Sequence, residues 1–256
     1  MSDPVVQRFR AARRDPDLAL LEGFHALKHA LRFGADVIEA VASEPAELDR
    51  LAADLAPDLA GSLAERTAAV DAELLAQLVP HSPRTGVVAI ARRPDVDVAT
   101  VLAAERPAPV VLLEDPRTMG NMGACVRVAA AADAAAVLTT GSNDPWHPEA
   151  LRGAAGLHFA LPVARIEALR EGGRPLVAID PEGERLGESE LDPRSVLAFG
   201  TERYGLSEAL LERADARLAI PMREGVSSLN LATAVSAVLF SQRLEPRGRR
   251  SRRSGK

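Results

Sequence analysis

The chain of 256 residues holds a single cysteine, Cys125. That excludes an intramolecular disulfide framework and any zinc site built from several thiolates. Aromatic residues make up only 3% of the chain, beside an abundance of Ala, Arg, Pro and Leu; this reads as compositional bias with little functional content. No apolar run is long enough to span a membrane, and the opening "MSDPVVQRFRAARRD" lacks the apolar core of a secretory signal. The expected location is cytoplasmic, with no membrane partner.

The common nucleotide and hydrolase motifs are missing too. No G-x-G-x-x-G occurs, and the Gly200 to Gly205 spacing is followed by Leu206, where a Walker phosphate loop needs Lys and then Ser or Thr. No G-x-S-x-G elbow supports Ser-His-Asp chemistry. Of the histidines, only His25 and His29 stand at helical i, i+4 spacing, which reads as a surface pair, so no metal is expected.

What the chain does contain is 47% hydrophobic and 26% charged residues, the profile of a globular protein of one large or two small domains. Its net charge of −5 is unevenly spread. Residues 1–14 hold four arginines against Asp3, and residues 243–256 hold seven Lys or Arg against Glu245. Basic ends on an acidic body suit a phosphate-bearing partner; a disordered solubilising tail explains "RGRRSRRSGK" equally well.

Pattern divides the chain. "LALLEGFHALKHALRFGADVIEAVAS" predicts a short apolar run, a helix ending near Gly34 and a strand, and "GVVAIARR" at 86–93 predicts a buried strand. Residues 1–95 therefore form a small α/β unit. The proline-rich stretch 96–109 reads as a linker containing about one helical turn. From 110 to 243 short apolar strands ("VVLLE", "AAVLTT", "PLVAID", "SVLAF", "ARLAI") alternate with helices at 122–133, 148–155, 206–213 and 229–243. That alternation implies a parallel sheet covered on both faces, with ligands beyond the carboxyl ends of the strands. Residues 244–256 form the basic tail.

Three of the loops after those strands carry unusual residues. In "DPRTMGNMGACVR" Asn121 is the expected N-cap, Gly123 permits close approach of a ligand or backbone, and Arg127 is a lone charge in a helix of small residues. "GTERYGLSE" presents Gly200, Glu202 and Gly205. In "PMREGVSSLNLATAVSAVLF" Ser227 or Ser228 is the expected cap of the last helix, with Asn230 in its first turn.

Taken in order, these fragments resemble the SpoU (TrmH-like) branch of the SPOUT RNA 2′-O-ribose methyltransferases. The match lies in "GNMGACVR", "FGTERYGLSE" and "IPMREGVSSLNLATAVSAVLF", and it covers 110–243. More loosely, "LLEGFHALKHAL" and "RTGVVAIARRP" look like the ribosomal-protein-like RNA-binding domain that precedes the catalytic domain in many members. In many relatives Asp-Pro stands two residues before the Asn. Here "RTMG" displaces Asp115 and Pro116, as in the subset that methylates ribosomal RNA and includes thiostrepton-resistance enzymes.

The resemblance implies a trefoil-knotted catalytic domain, a homodimer, and S-adenosylmethionine as cofactor. It assigns the cofactor to Thr140, Gly200, Gly205, Ile220, Met222 and Leu229, and the catalytic roles to Arg127, Asn121, Glu202, Ser228 and Asn230. It also implies an RNA substrate, ribosomal RNA ahead of transfer RNA. Two other readings compete: a non-catalytic RNA-binding or ribosome-assembly factor, and a relative that methylates a base nitrogen. Cys125 reads as a core residue, and Trp146 and His147 as packing residues or a stacking platform for a base.

Overall fold

The computed structural model describes residues 3–170, 173–188, 190–201 and 204–244. The first unit is a four-stranded sheet in the order β1 (Leu18–Glu22), β4 (Val87–Arg92), β2 (Val37–Ala42), β3 (Thr67–Ala69). Its central strand β4 explains the unbroken apolar run of "VVAIA". Val88 and Ile90 face one side, where α1 (Pro4–Ala12) and α5 (Ala72–Leu78) pack. Val87, Ala89 and Ala91 face the other, where α2 (Phe24–Arg32), α3 (Pro45–Leu55) and α4 (Ala60–Arg66) pack. Successive strand residues alternate faces, so a strand buried on both must be apolar throughout.

The amino terminus, one of the two basic ends, is folded into the first unit. It forms helix α1, which buries Val6, Phe9 and Ala12. Arg8 makes a bidentate pair with Glu39 at 2.7 Å, and Arg13 donates to the Leu78 carbonyl. A buried Phe and Val at helical spacing outweigh the local run of charge. The tail expected over 244–256 lies outside the described residues beyond Leu244.

The stretch 96–109 contains α6 (Val98–Ala103) and is held against the second unit. Leu102 and Ala108 enter its core, and the Arg174 guanidinium, 8% exposed, donates to the carbonyls of Leu102, Ala104, Ala108 and Arg194 at 2.8–3.0 Å.

The second unit is a six-stranded, all-parallel sheet. Its order is β10 (Ala216–Ala219), β8 (Leu176–Arg185), β9 (Val196–Phe199), β5 (Val110–Leu113), β6 (Ala136–Thr139), β7 (Val163–Arg165). One face carries α6 and α9 (Glu208–Arg213); the other carries α7 (Met119–Ala131), α8 (Pro148–Gly153) and α10 (Leu231–Leu244). The short strand β7 is not evident in the sequence pattern. Beside it Trp146 is buried, its indole N–H donating to the Val163 carbonyl, so it packs and offers no stacking platform.

The two units share one core. Buried residues of β1, α2 and β4 belong to the same cluster as those of β5, α7 and α10. A Cβ on Gly156 would stand 2.6 Å from the Ala26 carbonyl oxygen, and His29, expected at the surface, bonds through Nδ1 to the Ala155 carbonyl at 2.7 Å. Arg152 pairs with Glu22, and Arg93 pairs with Asp144 while lying over the Trp146 ring.

Candidate functional site

Helix α7 begins a turn earlier than the sequence predicts. Its stripe Met122, Cys125, Val126 and Ala129 is buried, and Met119 packs on the same cluster, so burial extends the helix back to Met119 with Thr118 at the cap position. Met122 and Val126, fully buried, each contribute about 1.5–3 kcal/mol. Asn121 is therefore no N-cap. It sits inside the first turn, and its Oδ1 accepts from Asn230 Nδ2 at 3.0 Å.

Asn230 also corrects the expected cap of the last helix. Its Oδ1 accepts from the N–H groups of Ala232 and Thr233 at 3.0 and 3.4 Å, so it caps α10 while its Nδ2 donates to Asn121. Ser227 and Ser228 lie before that cap and line a cavity instead.

This cavity, about 360 Å³, opens at the carboxyl ends of β9 and β10 and beside the middle of β8. Ile179, Phe199, Ile220, Met222, Leu229 and Leu231 supply apolar wall, while Gly200, Thr201 and Gly205 supply loop backbone. Thr201 and Gly205 form a two-bond antiparallel bridge at 3.0 and 3.1 Å. A Cβ on Gly200 would stand 2.0 Å from the Gly205 carbonyl carbon, so only glycine fits there. The structure thus brings Gly200, Gly205, Ile220, Met222, Ser228 and Leu229 around one volume, with Asn121 and Asn230 joined at its edge.

Other expected residues fall elsewhere. Thr140 is not part of the cavity wall; its Oγ1 accepts from the Asp115 N–H at 3.1 Å, tying the loop after β5 to the end of β6. Glu202 lies outside the described residues. Gly123 serves backbone approach, since a Cβ there would stand 2.1 Å from the Ala150 carbonyl oxygen of α8. Arg127 is exposed, off the buried stripe of α7 and not in the cavity wall, on the side that faces α2.

Part of the site is not evident in the sequence reading. Ile179, Asp180 and Pro181 wall the cavity because β8 leaves its ladder there: Arg217 of β10 pairs with Ala178, but Leu218 pairs with Glu184. The signal was present in "PLVAIDPEG", a strand end followed by Asp-Pro and Gly. Glu114 also matters, accepting from both the N–H and the hydroxyl of Ser207 at 2.7 and 2.6 Å, which anchors α9 to the exit of β5. A second cavity of about 460 Å³ between β8 and β10 is walled by Glu182, Glu184, Glu190, Asp192 and Asp215. So acidic a wall disfavours phosphate groups.

Residues 108–240 match the family model of the SpoU rRNA Methylase family. The chain belongs to that family. It is 36% identical over 208 residues to an uncharacterized tRNA/rRNA methyltransferase of Mycobacterium bovis, covering 76% of this chain and 71% of the relative. It is 28% identical to a 23S rRNA (adenosine(1067)-2′-O)-methyltransferase of Streptomyces azureus, over 94% and 93% of the two chains. The AdoMet-bound rRNA methyltransferase of Sinorhizobium meliloti superimposes with a TM-score of 0.74 at 25% identity, over 94% of each chain. Among the described residues no group of three or more His, Cys, Asp or Glu is placed to hold a metal, and no helix is long and apolar enough to cross a membrane.

Proposed function

We propose that this protein methylates a ribose 2′-hydroxyl of ribosomal RNA, using S-adenosylmethionine. The observation that carries the reading is the cavity at the strand ends, with the Asn121–Asn230 contact at its rim, in a chain of the SpoU family. The solved relative from Sinorhizobium meliloti binds AdoMet, and the Streptomyces azureus relative is named for 2′-O transfer to 23S rRNA.

The cavity fits the cofactor. Its volume lies in the range of small-molecule sites, and loop backbone at Gly200, Ile220 and Leu229 beside an apolar slot suits an adenine. When bound, the cofactor supplies a methyl group on a sulfonium, an electrophile for the ribose oxygen. The residues around it hold and orient: Asn121, Ser228 and Asn230 position the ribose, and Gly200 and Gly205 keep the loop backbone within reach. Thr140, which resemblance places in the cofactor site, keeps the loop after β5 in place through Asp115. Alignment of this kind contributes roughly 7–11 kcal/mol at best.

Arg127 clamps the adjacent RNA phosphate and stabilises negative charge developing on the 2′-oxygen, while the hydroxyl proton leaves to phosphate or water. It is no general base, because a guanidinium does not release its proton near neutrality. Glu202 orients the same machinery. The knot, in which α10 is threaded through the preceding loop, and the homodimer belong to this proposal. The exposed apolar side chains of Val226, Leu229 and Leu244 give the partner subunit something to cover.

Methyl transfer from radiolabelled S-adenosylmethionine to unmodified ribosomal and transfer RNA tests the reading. Label is expected in an alkali-resistant dinucleotide of ribosomal RNA, because a 2′-O-methyl group removes the hydroxyl that attacks the neighbouring phosphate. It should be lost in Arg127→Ala. Label only in transfer RNA overturns the substrate, alkali-labile label overturns the ribose, and RNA binding without cofactor binding leaves an assembly factor. Light scattering checks the dimer.

A further inference from the structure

Helix α2 carries a basic stripe, His25, Lys28, His29 and Arg32, at the i, i+3, i+4, i+7 spacing of one helix face. Two of the four are occupied. His29 bonds the Ala155 carbonyl, and Arg32 takes both oxygens of Asp58. Glu22, the carboxylate at the entry to this helix, is spent on Arg152. His25 is exposed and Lys28 is half-buried, and neither makes a hydrogen bond or a salt bridge among the described residues.

The stripe does not face open solvent alone. Ala26 is pressed against Gly156 and His29 is bonded to Ala155, so α2 is fixed on the segment that follows α8. Helix α7 is fixed on α8 through Gly123 and Ala150. Arg127, one turn beyond Gly123, is thereby brought close enough to His25 for its charge to act on the imidazole. Partial burial, then the positive charges of Lys28 and Arg127, hold the His25 pKa below its usual value, and among the described residues no carboxylate opposes the shift. Arg127 likewise has no hydrogen bond or salt bridge among the described residues. Asp58 acts on Lys28 but has both oxygens bonded to Arg32, so the two cations and the imidazole still repel one another, and a bound anion relieves that repulsion.

We propose that His25 and Lys28 join Arg127 in a single phosphate cradle, by which the first unit grips the RNA backbone next to the ribose that is methylated. Lys28 supplies charge, His25 an N–H donor, and Arg127 the bidentate fork. His25 and Lys28 are positioning residues: they set where the RNA strand enters relative to the cofactor cavity. The inference rests on the reading of Arg127 given above.

The test uses the full chain with 23S rRNA transcribed in vitro, comparing wild type, Lys28→Gln, His25→Gln/Lys28→Gln and Lys28→Arg. Binding is titrated across a series of KCl concentrations, and kcat and KM for RNA are measured. Neutralising Lys28 should flatten the slope of log affinity against log salt by about one contact, and the double variant should raise KM for RNA about tenfold or more while lowering kcat less. Lys28→Arg should restore the slope. A merely structural role would not move the salt slope, and Arg50→Gln, on α3 beside Glu47 and Asp54, is the control expected to keep wild-type activity. A double variant with wild-type slope and KM overturns the cradle alone. A wild type that transfers no methyl group to RNA overturns the reading of Arg127 and the cradle with it.

Discussion

Asn230 holds two elements at once: its Oδ1 caps α10 and its Nδ2 donates to Asn121 on α7, 109 residues away in the chain. Asn230→Asp separates the roles. A carboxylate caps a helix as well as an amide does, but it cannot donate to Asn121. Thermal stability should stay near that of wild type while methyl transfer falls by about tenfold or more, the scale of one lost charge-neutral hydrogen bond at a reacting centre. Asn230→Ala should in addition lose about 1 kcal/mol of stability with its cap. Paired melting curves and single-turnover rates check both, and a fully active Asn230→Asp would show that the contact is structural only.

Gly200→Ala should abolish cofactor binding. The new methyl group would stand 2.0 Å from the Gly205 carbonyl carbon, so the loop must open and its backbone must leave the cavity wall. Calorimetric titration with S-adenosylmethionine measures this directly. Wild-type affinity in the variant would mean that the pinch at Gly200 plays no part in binding.

Arg174 is buried with four backbone carbonyls and, among the described residues, no carboxylate as hydrogen-bond partner. Arg174→Met keeps the apolar stem but leaves those carbonyls unsatisfied. A loss of about 3–5 kcal/mol is expected in denaturant unfolding, the cost of breaking a buried charged network. Arg174→Lys should fall between, because an ammonium cannot reach all four carbonyls together.

His158 is fully buried, and desolvation pushes its pKa down to about 4, with the Pro145 carbonyl at 2.8 Å from Nε2 opposing the shift. Above about pH 6.5 the ring is neutral in both folded and unfolded chains, and it contributes no pH dependence. As the pH falls from about 6.5 towards about 4, the unfolded chain takes up a proton that the folded one refuses. Stability should therefore drop by about 1.4 kcal/mol per pH unit, up to about 3 kcal/mol, and the contribution should level off below the folded pKa. Urea unfolding at pH 7.5, 5.5 and 4.5, beside His158→Gln, isolates it; equal slopes in the two proteins would rule it out.

The strands were legible because both faces of each sheet are covered, which forces an apolar residue at every position of β5 and β9 and at every buried position of β4. The cavity residues were legible through resemblance in ordered motifs. Helix starts were not, because packing decides them: Met119 draws α7 back past Asn121, and Asn230 displaces two serines as a cap. Positions set by distant pairing were beyond local pattern altogether. The Asp-Pro and Gly of "PLVAIDPEGER" mark a break in the strand but not that Ile179–Gly183 leave the β10 ladder before Glu184 rejoins it, and nothing around His25 announces Arg127.

The interlock of Gly156 with Ala26 has a consequence for how such a protein can change over time. With Ala26 seated where a side chain on Gly156 would be, and Glu22 and His29 bonded on either side, the front unit is not an interchangeable attachment. A foreign recognition module grafted at residue 95 would meet an unmatched surface and expose core that the native partner covers. New RNA targets are therefore reached by altering side chains on an existing shared body, and a chimera of two family members should unfold in one transition only if the seam is transplanted with the module.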